Sequence, residues 1–275
     1  MAKLLLLEIG CEELPAASVR EAEAQLPVLS ERQLSAKPEQ VLVGPRRFAI
    51  LVSVEEQTGE RWIKGPPVSL REKAAEGFAK RHGVSVDDLE ERDGFLGVVS
   101  QGQPLSEALP GQLDAIVRGL RFGKTMRWDD SGLRFPRPMR WTCARLDADP
   151  VHGHGVTTQG HRFTHGDVEV PSADAYAETL RAAGVEPDPA ERGRLIREGL
   201  DALGEWRDPL RKLREVIHLV EQPLVLEGSF DERFLSLPAA VIETAMQSHQ
   251  RYFPLGGNRF AFVANGGDPD VVRRG

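Results

Sequence analysis

Two cysteines, Cys11 and Cys143, stand in 275 residues. They make no disulfide framework and show no metal-ligand spacing, so a reducing cytoplasm is the expected location. No apolar run approaches the ~20 residues that span a bilayer, which excludes a helical membrane anchor within this sequence. The opening MAKLLLLEIG has an apolar stretch shorter than a signal-peptide core, and Glu8 interrupts it. The common catalytic signatures are missing as well. There is no P-loop, no GxGxxG behind a strand, no GxSxG, no HExxH and no CxxC. No catalytic residue is therefore assigned. Four of the seven histidines fall at 152, 154, 161 and 165. Their His-x-His and His-x3-His spacings come without a nearby cysteine and with loose glycines between them, so no metal site is assigned.

What is present is enough for a real core: 40% hydrophobic residues, with 28% charged. The length admits one large domain or two ordinary ones. Residues 3–9 read as a buried strand, ended by Gly10 and followed by Glu12 and Glu13. Those acids admit two readings, carboxylates at a strand end or a solvated helix start. Residues 16–34 have helical composition, with Pro27 expected to kink or divide them. Residues 41–43 and 48–54 read as strands joined by Gly44-Pro45-Arg46-Arg47, a turn whose arginines suit phosphate contact or simple solvation. Lys64-Gly65-Pro66-Pro67 marks the entry to an insertion. It holds a helix over 70–81, a helical turn over 86–91, a strand over 94–101 and a helix over 105–120 interrupted at Pro110-Gly111.

Further on, helices are expected over 173–183, 190–203 and 210–220, then a strand over 224–226. A helix capped by Ser236 runs to about His249, and a last strand covers 260–264. His249 at that helix end reads as an acid/base group or, more simply, as a capping histidine. The fold class is α+β: a mixed or antiparallel sheet with packed helices and a helical insertion. The expected segments are 1–63, a mainly helical 64–122, and a second α+β segment over 123–275.

One stretch departs from the acidic balance of the chain. Residues 118–145 carry eight Lys/Arg against Asp129 and Asp130, a local +6 in a chain of net charge −7. Within GKTMRWDDSGLRFPRPMRW, at 123–141, Met-Arg-Trp occurs twice. Guanidinium forks suit phosphate, and aromatic faces stack on bases or on guanidinium planes. A cationic, aromatic-interleaved segment points to a polyanion or an acidic partner. Trp128 and Trp141 either stack on a ligand or pack in the core.

Several strings resemble the beta subunit of the two-subunit bacterial glycyl-tRNA synthetase. They are LLLLEIGCEELPA at 4–16, VGPRRFAILV at 43–52, KGPPV at 64–68 and AAEGFAKRHGVSVDDL at 74–89. In the same order follow KTMRW at 124–128, FPRPMRW at 135–141, GHRF at 160–163, LREVIHLVEQPLVLEGSFDERFLSLP at 213–238 and MQSHQRYFPL at 246–255. The resemblance implies a non-catalytic subunit of an aminoacyl-tRNA synthetase. It would support binding of tRNA(Gly) and assembly with a catalytic alpha subunit into an α2β2 ligase. ATP with Mg would be used through the alpha subunit, with no cofactor bound by this chain. Members of the family continue into a helical region and an anticodon-binding domain, so this sequence is expected to be an N-terminal part, and the stretch between Trp141 and Gly160 looks shortened.

Within that resemblance, the candidate phosphate contacts are Arg46, Arg47, Lys124, Arg127, Arg137, Arg140 and Arg162. Architecture is the rival role of each. Arg162 in particular is suited to an ion pair with Glu8, Glu12 or Glu13. A scaffold that never touches RNA is the alternative to the RNA-binding role, and an enzyme using Glu12, Glu13, His161 and His249 is a third reading.

Overall fold

The strand that begins the chain is its most buried. Leu5 through Cys11 are all removed from solvent, as a continuous apolar run requires of a strand covered on both faces. The computed structural model describes residues 2–56, 61–100 and 104–272. In chain order the elements are β1 (Ala2–Cys11), α1 (Ala16–Leu34), β2 (Gln40–Gly44), β3 (Arg47–Glu55), β4 (Arg61–Pro67), α2 (Arg71–Arg81), β5 (Glu90–Arg92), β6 (Phe95–Ser100) and α3 (Leu105–Gly119). There follow β7 (Met126–Arg127), β8 (Arg134–Phe135), β9 (Met139–Leu146), β10 (Asp149–Pro150), β11 (Thr157–Gln159), β12 (Asp167–Glu169), α4 (Tyr176–Ala182), α5 (Pro189–Asp201) and α6 (Leu213–Val216). The last are β13 (Pro223–Ser229), α7 (Ala239–Thr244), β14 (Phe253–Gly256), β15 (Arg259–Asn265) and α8 (Pro269–Val272). The α+β class expected from the sequence is what folds, with several small sheets in place of one large one.

The chain divides into two units, one spanning Glu55–Leu109 and one formed by Ala2–Val54 with residues 110–272. In the larger unit β1 is the middle strand of a five-stranded sheet ordered β10-β9-β1-β3-β2. β9 runs antiparallel to β1, with Leu5 opposite Leu146 and Gly10 opposite Trp141. β2 and β3 form a hairpin closed at Gly44 and Arg47. Leu6, Ala49, Leu51 and Cys143 pack with Val170, Ala173, Tyr176 and Leu180 into one core. The two-residue period of a strand places Glu8 on the same face as Leu6, and Arg47 on the same face as Ala49. A second core joins Ile196 and Leu200 of α5 and Val216 of α6 to Phe253 and Ala261 of the sheet β13-β15-β14.

In the smaller unit α2 turns Ala75 and Ala79 onto Leu96 and Val98 of a three-stranded antiparallel sheet ordered β4-β6-β5. The turn at 86–91 is a single 3-10 turn over Val86–Asp88, locked by a capping box between Ser85 and Asp88, and the chain then enters β5.

Several local expectations are refined. Pro27 does not divide its helix, and Pro110 does not interrupt α3. Each costs one backbone hydrogen bond, and for Pro110 the carbonyl left over is that of the exposed Ser106. The helix expected over 210–220 shrinks to Leu213–Val216. Ser236 does not cap α7, since its hydroxyl turns back to the Arg233 carbonyl at 2.8 Å. Beyond α7 the backbone widens into a π-helical turn over Ala245–Gln250.

Candidate nucleic-acid interface

The two arginines of the β2–β3 turn are inside the larger unit. Arg47 is 2% exposed and Arg46 7%. Arg47 Nη1 meets Glu8 Oε1 at 3.3 Å and Thr158 Oγ1 at 3.1 Å, while its Nη2 donates to Glu221 Oε1 at 2.8 Å. The Thr158 hydroxyl donates to Glu8 Oε1 at 2.7 Å. Arg46 Nη1 reaches the Gly160 carbonyl at 3.2 Å and Glu221 Oε2 at 3.4 Å. The Arg162 amide adds a third donor to Glu221 at 3.1 Å. Both guanidinium groups lie over Trp141, at 5.7 and 5.8 Å from its ring. Glu8 Oε2, Trp141 Nε1 and the Tyr176 hydroxyl are buried without a hydrogen-bond partner among the described residues.

Two arginines thus balance two buried glutamates. Burial pushes the Glu8 carboxyl up, and Arg47 offsets this only in part. Burial also acts to raise Glu221, but Arg47, Arg46 and the Arg162 N–H outweigh it and hold that carboxyl below its ordinary range. Neither Arg46 nor Arg47 presents its fork to a phosphate. Removing one partner of such a pair typically costs about 3–5 kcal/mol, because it strands the other charge.

A second layer lies at the surface where β1 ends and β9 begins. Cys11 pairs with Met139 in the ladder, and Glu12 donates its N–H to the Pro138 carbonyl at 3.0 Å. This register sets Glu12 against Arg140 at 3.0 Å and Arg162 at 3.3 Å, with Glu13 at 3.4 Å from Arg162. The pairing of Arg162 with Glu12 and Glu13, rather than with Glu8, answers the alternative left open by the sequence. Arg137 Nε holds the Glu13 carbonyl at 3.1 Å. All three arginines remain exposed.

Lys124 and Arg127 are exposed and have no carboxylate partner among the described residues. Lys124 precedes the two-residue ladder β7–β8, in which Arg127 faces Arg134 and Met126 faces Phe135. Phe135 roots this ladder in the core, 4.9 Å from Phe122 and 6.4 Å from Phe48. The Trp128 indole donates to the Phe135 carbonyl at 2.9 Å while its ring stays 38% exposed. Trp141 packs and Trp128 is half-presented. The structure therefore separates the seven sequence candidates: Arg46 and Arg47 inside, Arg140 and Arg162 in surface ion pairs, Arg137 on a carbonyl, Lys124 and Arg127 unengaged. It adds Arg134, which the ladder sets opposite Arg127. The sequence held that residue in the basic stretch but gave no sign of the pairing.

His161 and the two cysteines are engaged or held neutral. His161 is buried, with its ring nitrogens 3.1 Å from the Asn265 carbonyl and 3.1 Å from Thr164 Oγ1. Burial pushes the Cys143 thiol up to about 12 and Cys11 higher still, so neither supplies a thiolate. Among the described residues no group of three His, Cys, Asp or Glu is placed to hold a metal ion, and no helix is long and apolar enough to cross a membrane.

Comparison with known proteins now gives this geometry a setting. The family model described as glycyl-tRNA synthetase beta subunit matches residues 5–275. The glycine–tRNA ligase beta subunit of Bacillus subtilis is 36% identical over 283 residues, covering 91% of this chain and 42% of that protein. The corresponding subunit of Halalkalibacterium halodurans is 38% identical over 282 residues, 91% of this chain and 40% of that protein. That of Moorella thermoacetica is 36% identical over 306 residues, 97% and 44% respectively. The chain thus spans about two fifths of the length of these relatives. On a match running through residues 5–275 and identities of this size, the chain belongs to the glycyl-tRNA synthetase beta subunit family.

Proposed function

We propose that this chain serves ATP-dependent glycyl-tRNA formation as the tRNA-binding and assembly portion of a glycine–tRNA ligase in the cytoplasm. Bond-making, with ATP and Mg, falls to a catalytic alpha subunit. The observation that carries the RNA role is the exposed cationic strip Lys124, Arg127, Arg134 and Arg137, rooted by Phe135 in a chain of net charge −7. A local cation cluster steers and holds a phosphate backbone through release of counterions. The test is a salt titration of tRNA(Gly) binding. Affinity should fall log-linearly with salt, at roughly one unit of slope per phosphate contact. Replacing Lys124, Arg127, Arg137 and Arg140 together by Gln should reduce that slope. Binding that ignores salt removes the RNA role.

A second reading, assembly alone, is favoured by a different surface. Phe234, Leu237 and Val241 are exposed and line an apolar cavity of about 570 Å³ with Ile242, Met246 and Tyr252. A patch of this kind marks a protein contact, and the relatives' name, beta subunit, makes an alpha subunit the partner proposed for it. Co-purification with that subunit tests this, with Val241→Asp expected to break the association without touching RNA binding.

A further inference from the structure

Beside the exposed strip lies a cavity of about 400 Å³, lined by Arg118, Arg121, Phe122, Thr125, Leu133 and Arg134 among others. Three of the lining residues are arginines. Each is tied down by part of its donor set. Arg118 Nε binds Asp114 at 2.7 Å. Arg121 Nη1 holds the Arg118 and Leu120 carbonyls at 2.6 and 3.0 Å at the end of α3. Arg134 donates from Nε to Thr125 Oγ1 at 3.3 Å and from Nη2 to the Thr125 carbonyl at 3.2 Å. Both Nη atoms of Arg118, Nε and Nη2 of Arg121 and Nη1 of Arg134 have no acceptor among the described residues. The forks are oriented by the protein and still have donors to give, which lowers the ordering cost of binding an anion.

Three guanidinium charges outnumber the carboxylate of Asp114, which pairs with Arg118 through Nε. Asp129 is turned to the Ser131 amide at 2.9 Å. Part of the lining is apolar: Leu133, and Phe122, which is held against Phe48 and Phe135 at 6.1 and 4.9 Å between ring centroids. Phosphate needs donors, whereas a base needs a flat apolar surface, worth about 1–3 kcal/mol per stacked base. A cavity carrying both suits a nucleotide unit better than a bare inorganic anion.

We propose that this cavity binds one phosphorylated nucleotide unit of unpaired RNA, with the phosphate on Arg118, Arg121 and Arg134 and the base against Phe122 and Leu133. The assignment deepens the tRNA-binding reading and rests on it. It adds a place where a single unstacked nucleotide is held, apart from the backbone contacts of Lys124 and Arg127.

The test uses the 275-residue chain and three probes: a labelled single-stranded RNA hexanucleotide, AMP and inorganic phosphate. The hexanucleotide should bind saturably, AMP should compete, and phosphate should compete more weakly. Arg134→Gln and Arg118→Gln should each weaken the hexanucleotide and AMP by about tenfold, the loss expected for one charge-assisted phosphate contact. Arg118→Gln removes no carbonyl contact, so it leaves folding intact even where Arg121→Gln would not, and a thermal melt checks this. Lys124→Gln with Arg127→Gln should leave AMP binding unchanged. No saturable binding of any probe at about 10 mM, weaker than any useful affinity, overturns the proposal. So does unchanged binding in both arginine variants, and so does phosphate binding as tightly as AMP, which would mark a plain anion site. If the pocket variants change nothing while the Lys124/Arg127 variant weakens tRNA(Gly), the pocket assignment falls and the tRNA-binding reading stands.

Discussion

Gly10 lies opposite Trp141 in the β1–β9 ladder, and a Cβ placed on Gly10 would fall 1.9 Å from the indole ring. The ring crosses over the strand because only hydrogen stands there. In that position it roofs Arg46 and Arg47 and shields their carboxylates from water. Gly10→Ala must therefore displace Trp141, and overpacking of this kind costs about 1–3 kcal/mol. A fall in Tm of several degrees is expected, together with a change in tryptophan fluorescence. An unchanged melt would mean that the ring moves aside without cost.

Glu221 receives charge from both buried arginines, so Glu221→Gln is expected to act on stability and not on RNA. The neutral amide fills the same space but brings its own N–H donors toward the two guanidinium groups. A loss of about 3–5 kcal/mol is expected in urea melts, as for other buried pairs broken on one side. Any tRNA(Gly) affinity of the folded protein should change by no more than about twofold, because this site is internal and the proposed phosphate contacts are external. The reverse outcome, full stability with weakened RNA binding, would return Arg46 and Arg47 to the interface.

These two residues also show where the sequence stops being readable. β1 is legible because an unbroken apolar run permits little else, and the β2–β3 hairpin is legible because Gly-Pro punctuates two β-rich runs. The fate of Arg47 is not legible, since its partner Glu221 lies 174 positions away and no local pattern couples them. The same applies across the basic stretch. Its charge is visible in composition, but which arginines are paired depends on carboxylates delivered by other segments, as Glu12 is to Arg140 and Glu169 to Arg145. The arginine-lined cavity escaped for a related reason: Arg118, Arg121 and Arg134 are brought together only by the end of α3 and the β7–β8 ladder.

His218 carries a pH dependence with a definite sign. Burial, then Arg192 and Arg20, push its imidazolium down to about 4, and Glu23 at 3.9 Å does not reverse this. The unfolded chain takes up a proton near pH 6.5, well before the folded chain does. Stability contributed by the neutral ring is present above about pH 6.5 and is lost as pH falls from there toward 4. By linkage the loss between pH 7 and 5 is on the order of 2 kcal/mol. His218→Gln should narrow the gap between urea melts taken at those two values. An equal gap in both proteins would place the acid sensitivity elsewhere.

Glu12 and Glu13 offer the sharpest separation of RNA binding from pure scaffolding. They are partly exposed and stand between Arg140 and Arg162, within ion-pair distance. Surface pairs of this kind contribute only about 0–1 kcal/mol to folding, so Glu12→Gln with Glu13→Gln should leave the melt nearly unchanged. For a polyanion the consequence is larger. Two repelling charges disappear, and two guanidinium groups are released near Arg137. If the face binds tRNA, the double variant should bind more tightly at low salt and show a steeper salt dependence than the native chain, by up to about two units of log–log slope for two added phosphate contacts. If the face only maintains architecture, removing both acids should leave RNA affinity and slope where they were. The melt then serves as the control that separates a changed surface from a damaged fold, because the partners of Glu12 and Glu13 are exposed while those of Glu8 and Glu221 are not.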